Sequence, residues 1–408
     1  MNSRRTILAT IALSAIVGSA LCATASGASA ADSPSPAPTA SAAAAEPVRV
    51  VAADEGALHA AASAVVARVS LKQKAASVVM GHVPTTDVGQ LRAYMRSSGA
   101  GGFILMGANI PATESALREL TAGLTLDPAL PPLIAVDEEG GDVTRLPWDS
   151  FPSSLSLKSQ PAGDSRTAFA GRAALVQRAG IGVDFGIVAD TTPDPDGFIF
   201  RRSLGATPAA ASARVTAAVV GQSGIVLSTL KHFPGHGAAA GDSHTMIPTT
   251  SLSKGAWAGT DAQPFAAGIK AGAPLLMFGH LAYTAVDKAP ASLSATWHRI
   301  ARTELGFTGV AITDDLGMLQ ASGIPAYADP VANAVAALAA GNDMVLAVMF
   351  TTPASASEIA TGIAAAVTSG RLSQARLDEA ATRVVELRLA TAAAGRGLMP
   401  CPSCAAVG

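Results

Sequence analysis

Eight short apolar runs, separated by longer Ala-rich stretches, constrain this chain more than any other feature. They are Val78–Met80, Gly102–Met106, Leu133–Val136, Val183–Val188, Val226–Leu230, Leu275–Phe278, Val310–Ile312 and Asp343–Leu346. Runs this short cannot make a buried helix, but they suit strands covered on both faces. The stretches between them hold helical patterns, among them Glu114–Leu124, Thr207–Gln222 and Pro330–Ala340. Alternating strand and helix implies a parallel sheet, and eight repeats predict closure into an α/β fold of the (β/α)₈ barrel type over residues 55–395.

The polar residues at the ends of these runs carry the functional information. Gly81-His82 comes after the first, Asn109 after the second, Asp137-Glu138-Glu139 after the third and Asp190 after the fourth. Lys231-His232, Gly279-His280 and Asp314-Asp315 come after the fifth, sixth and seventh. In a barrel these positions converge on the C-terminal face, where active sites are built; in a doubly wound sheet they would be strung along one edge. One such residue would read as a cap for the next helix. A whole series in register reads as a site.

Composition removes several classes of function. Of 408 residues 49% are hydrophobic and 14% charged, which excludes a disordered chain. The formal charge is −2 and no basic cluster is present, so nucleic acid is not an expected partner. No stretch beyond residue 30 runs eighteen apolar residues unbroken, so no integral membrane domain is expected. Residues 1–30 read as a secretory signal: Arg4 and Arg5, an apolar Thr6–Cys22, then Ala28-Ser29-Ala30 as a cleavage site. Ser3-Arg4-Arg5-Thr6-Ile7-Leu8 fits a twin-arginine signal as well as an ordinary Sec one, and either means export. Leu21 before Cys22 speaks against lipidation. Residues 31–54, rich in Ala, Ser and Pro, form a linker. Residues 396–408 form a tail with Cys401-Pro-Ser-Cys404, the only cysteines left after cleavage. A lone C-x-x-C of this kind reads as a local disulfide or an idle tail.

Three constellations hold the chemistry. Lys231-His232-Phe233-Pro234-Gly235-His236-Gly237, followed by Gly241-Asp242-Ser243-His244, is a strand end feeding a Gly-rich loop. Pro234 and Gly235 separate the histidines, so no metal site is expected; Asp242 two residues from His244 suits proton transfer instead. Thr313-Asp314-Asp315-Leu316 places an acidic pair at a strand end. Asp315 suits a helix N-cap, which frees Asp314 to act as a nucleophile. Val136-Asp137-Glu138-Glu139-Gly140-Gly141 makes a tight turn, with Asp137 and Arg145 placed to hold hydroxyl groups.

In their order these motifs resemble glycoside hydrolase family 3, and within it the single-domain bacterial β-N-acetylglucosaminidases. The likeness runs from about Leu71 to about Arg388 and includes Arg202-Ser203-Leu204-Gly205 and Met277-Phe278-Gly279-His280. It implies that Asp314 is the nucleophile and that His244, paired with Asp242, is the acid/base. Asp137, Arg145, Asp190, Arg202, Lys231 and His232 match the positions that hold the sugar. No cofactor is implied. The expected partner is a GlcNAc-containing glycan or muropeptide, the expected state a monomer. Asp142, Leu204 and Ile187 depart from the usual pattern, which puts local pocket shape in question. Three rivals are a phosphorylase of the same family, a β-glucosidase, and a wall-binding barrel without activity.

Overall fold

Each apolar run becomes a strand, and the eight strands close on one another in sequential order. The structure, a computed structural model, describes residues 55–394. The expected signal, linker and Cys401/Cys404 tail lie outside the described residues. The strands are β1 (Val79–Gly81), β2 (Gly102–Leu105), β3 (Leu133–Val136), β4 (Val183–Val188), β5 (Leu227–Phe233), β6 (Leu275–Phe278), β7 (Val310–Asp315) and β8 (Met344–Leu346). All pair in parallel, and β8 returns to β1 through Val79 opposite Val345. The (β/α)₈ barrel is therefore present.

Two apolar layers explain why the strands read as unbroken hydrophobic runs. Met80, Ile104, Leu133, Val183, Leu275, Val310 and Met344 belong to one buried cluster. A cluster fed by strands all around the sheet can only be the barrel interior. Their neighbours Ile134 and Ala311 point the other way, into the layer under the helices. On β4 the alternation breaks: Val183 and Phe185 point inward, but Ile187 packs outward. The cause is an irregular register against β5 between Asp184 and Ile187.

Local signals set the helices. Thr113 caps Glu114–Leu124, Thr207 caps Pro208–Gln222 with proline in the first turn, and Asp329 caps Pro330–Ala340. At the start of β8 the buried Asp343 accepts from Arg302, Arg376 and Arg383, tying two separate helical segments, Ile300–Glu304 and Gln374–Ala394, to the bottom of the barrel. Among the described residues no helix is long and apolar enough to cross a membrane.

Two strands outrun their apolar segments. β5 continues through Lys231, His232 and Phe233, and β7 through Thr313, Asp314 and Asp315. These polar residues sit within the ladder instead of after it. The sheet therefore holds their backbones, as it could not hold a loop's.

Candidate active site

The turn after β3 sends three consecutive carboxylates in three directions. Gly140 and Gly141 both adopt φ of 81°, a left-handed conformation that bends the chain tightly enough to do so. A Cβ on Gly140 would also fall 2.1 Å from Arg172 Nη2. Glu138 turns inward, where its Oε2 accepts from the amides of Arg145 and Leu146 at 2.8 and 2.9 Å. Burial pushes its carboxyl up to about 9. Asp137 and Glu139 face the barrel mouth.

Glu139 is the electrostatic hub of the site. Its Oε1 meets Lys231 Nζ at 2.6 Å and Arg202 Nη2 at 2.8 Å, and its Oε2 accepts from Arg202 Nε at 2.9 Å. Burial would raise its carboxyl, but Lys231 and Arg202 outweigh that and hold it at about 2. Lys231 Nζ also donates to Asp137 Oδ1 at 2.8 Å, and Arg145 Nη2 stands 3.7 Å from Asp137 Oδ2. Two anions and three cations thus interlock on one side of the pocket, with Asp137 lining the cavity.

Asp190, fully buried after β4, ties the end of β5 to the loop beyond it. Its Oδ2 sits 2.7 Å from His232 Nδ1, and its Oδ1 accepts the amides of His232 at 3.2 Å and His236 at 2.6 Å. Burial opposes ionisation, but the two histidines hold the carboxyl below its usual range. The Lys231–His232 and Phe233–Pro234 peptide bonds are cis. Next comes a single 3₁₀ turn, His236–Ala238. Tyr283 donates to the Gly235 carbonyl at 2.7 Å, and a Cβ on Gly237 would lie 1.9 Å from the Thr191 carbonyl oxygen. The base of the loop is therefore fixed, Gly-rich though it is.

Beyond that base, His236 Nε2 lies 3.1 Å from Ser243 Oγ, and His244 Nδ1 lies 2.6 Å from Asp242 Oδ1. The His244 and Asp242 side chains are about half exposed (53% and 45%), so the pair stands at the rim.

The acidic pair on β7 divides as the sequence predicts. Asp315 accepts from the amides of Gly317, Val348 and Met349, capping the next helix and tethering the β8 loop. Burial pushes its carboxyl up to about 6. Asp314 faces the pocket. Burial alone would raise its carboxyl; His232, His280, the Asp315 amide and Lys231 together hold it below the usual range. It stands ionised.

Asp314, His244, Asp137, Arg145, Arg202, Lys231 and His232 all line one cavity of about 170 Å³ at the C-terminal mouth of the barrel. Asp190 and Asp242 do not line it; each stands behind a histidine that does. Among the described residues no group of three or more His, Cys, Asp or Glu side chains is placed to hold a metal ion.

The motif order and this geometry have counterparts. The model described as "Glycosyl hydrolase family 3 N terminal domain" matches residues 70–387. The chain belongs to glycosyl hydrolase family 3. A beta-hexosaminidase of Methylococcus capsulatus is 34% identical over 267 residues, 62% of this chain and 77% of that one. Among solved structures, a family 3 beta-N-acetylglucosaminidase from Paenibacillus sp. str. FPU-7 superposes with a TM-score of 0.74 at 30% identity. It covers 83% of this chain, and this chain covers 66% of it. A beta-N-acetylhexosaminidase from Beutenbergia cavernae gives 0.69 at 27% identity, covering 79% of this chain and 99% of its own. This family 3 protein is accordingly a glycoside hydrolase acting on a carbohydrate.

Other strand-end residues of the family 3 barrel serve as braces. His82 Nδ1 lies 3.2 Å from the Ile104 carbonyl, Asn109 donates to the carbonyls of Val83 and Thr85, and His280 sits between Ser292 and the Asp315 carbonyl. The departures from the family pattern leave the pocket untouched. Asp142 pairs with Arg201 at the surface, while Leu204 and Ile187 are buried under the helices. Sequence reasoning missed Glu139, whose signal is its place two residues past Asp137. It also missed the pocket's apolar wall of Met106, Met277, Met318 and Met349, one residue from each of four separate segments.

Proposed function

We propose that this glycoside hydrolase is an exported, monomeric exo-β-N-acetylglucosaminidase that retains anomeric configuration. One observation carries the reading: the ionised Asp314 and the rim-mounted His244–Asp242 pair meet at the same small cavity, which Asp314 and His244 line. Asp242 accepts from His244 Nδ1, which leaves Nε2 free to exchange protons with a ligand. Asp314 then attacks the anomeric carbon while Nε2–H of the imidazolium protonates the departing oxygen, so that the glycosidic bond breaks as a carbon–carboxylate bond forms. In the second step Nε2 takes a proton from water, the water oxygen bonds to the same carbon, and the bonding electrons return to Asp314. Two inversions give net retention. Retaining enzymes generally use two carboxyl groups about 5 Å apart; here an imidazole replaces one of them.

Asp137, Arg145, Lys231, Arg202 and His232 would hold the hydroxyl and acetamido groups, with Asp190 fixing the His232 ring. The small size of the cavity, about 170 Å³, supports exo action on a terminal sugar. The relatives' names support N-acetylglucosamine as that sugar, and export favours cell-wall muropeptides or chitin-derived oligosaccharides as sources. An assay on aryl β-N-acetylglucosaminide and aryl β-glucoside, with and without phosphate, tests this. Free GlcNAc at a rate independent of phosphate is expected. A sugar 1-phosphate product, or equal turnover of the glucoside, would overturn it.

A further inference from the structure

Aromatic side chains are scarce in this protein, at 4%, and those beneath the surface have packing roles. Trp257 and Trp297 are buried against each other and against Phe233, while Trp148 packs on the helical layer. Against that background Phe198 and Phe350 stand exposed among the described residues, and Phe198 is the one beside the histidines of the site. It lies in the loop after β4 with 39% of its surface exposed, although nothing about a loop demands a phenylalanine. Its ring centroid is 5.0 Å from the His236 ring, tilted by 35°, and 5.9 Å from the His244 ring, nearly edge-on. His236 is buried beneath it and fixed through Asp190 and Ser243. The ring is thus supported from below and open from above, immediately beside the proposed proton donor.

Position gives the ring a meaning. His244 protonates the oxygen between the departing group and the sugar in the pocket, so whatever is bonded to that oxygen must lie on the His244 side of the mouth. Phe198 is there. We propose that Phe198 is the platform of a leaving-group subsite, on which the apolar face of a β-linked hexosamine packs while its glycosidic oxygen faces His244. An aromatic face suits a pyranose because the ring's axial C–H bonds are apolar while its hydroxyl groups point outward to water. The chemistry required is a second pyranose, shared by chitin-type disaccharides and by wall disaccharides whose second sugar carries a lactyl ether. This inference rests on the GlcNAc-releasing reading above.

Leaving groups that share the same need for a proton, one small and two sugars, separate stacking from loop support. The purified full chain and its Phe198→Ala and Phe198→Tyr variants are assayed on methyl β-N-acetylglucosaminide, on N,N′-diacetylchitobiose and on the GlcNAc–MurNAc disaccharide. For Phe198→Ala, kcat/KM should fall roughly tenfold on both disaccharides and less than about twofold on the methyl glycoside; Phe198→Tyr should restore the disaccharide rates. A loss confined to one disaccharide identifies which second sugar the ring receives. Equal loss on all three substrates would mean that Phe198 only supports the His244 loop, and no loss on any would remove it from the site; either overturns the proposal. Failure of the unmodified protein to release GlcNAc from any of the three would instead overturn the activity reading beneath it.

Discussion

Replacing Glu139 by glutamine keeps the shape of the side chain but removes the charge that Lys231 and Arg202 share. Its size as a perturbation follows from the carboxyl's own displacement, from an ordinary 4.5 to about 2. At about 1.4 kcal/mol per unit, that is about 3 kcal/mol of folding free energy at pH 7. Over the roughly 340 residues of the domain it corresponds to a melting temperature lower by about 4 °C. A depressed folded-state value gives stability that is complete above the unfolded value and is lost as pH falls toward the folded one. The gap between wild type and Glu139→Gln should therefore hold near 3 kcal/mol down to about pH 5, then narrow to about 2 kcal/mol at pH 3.5. Urea titration followed by tryptophan fluorescence at pH 7, 5 and 3.5 measures it, since Trp257 and Trp297 are buried. With both cations freed from their fixed geometry, kcat/KM at pH 7 should also fall about 100-fold. A gap under about 1 kcal/mol at pH 7, or one that does not narrow in acid, would refute the role of Glu139 as the ion that fixes the sugar-holding cations.

Asp314→Asn should cut turnover by roughly 10³-fold or more while unfolding like wild type, whereas Asp315→Ala should lose about 2–4 kcal/mol because three backbone amides lose their acceptor. The reverse pattern would exchange their roles. His244→Ala should show a burst and then a slow steady state with a dinitrophenyl glycoside, which leaves without a proton, and azide should speed the slow phase; full activity on a natural disaccharide would remove His244 from the mechanism. Prolonged chelation should leave the rate unchanged, and a loss by EDTA that zinc restores would revive a metal ligand role for the histidines.

How much of this was legible before folding depends on the kind of interaction. Burial on two faces leaves a plain trace, so all eight barrel strands stood out as apolar runs, with helical patterns at Glu114–Leu124, Thr207–Gln222 and Pro330–Ala340 between them. The ends of β5 and β7 were not legible by that criterion. Lys231 and Asp314 continue the ladder as polar residues because ion pairs and backbone donors compensate them inside the barrel. The side-chain destinations at the β3 turn were hidden for a different reason. Asp137, Glu138 and Glu139 differ little as letters, and only the two left-handed glycines decide which faces the ligand, which the amides of Arg145 and Leu146, and which the cations. Likewise His82, Asn109 and His280 share the register of the site residues yet point to backbone carbonyls. The methionine wall collects single residues from distant segments, and such a pattern has no period to detect.

The proposed nucleophile and the proposed proton donor are mounted differently. Asp314 belongs to a strand bonded to neighbours on both sides, whereas His244 stands at the end of a short excursion fastened at its base, through Asp190 and Tyr283. Residues added to or deleted from that excursion need not displace any strand. Across generations, then, the barrel can act as a chassis on which the donor is a replaceable part. A lineage can retune which groups it expels by rebuilding a few residues after His236, without rebuilding the pocket that recognises the sugar it keeps.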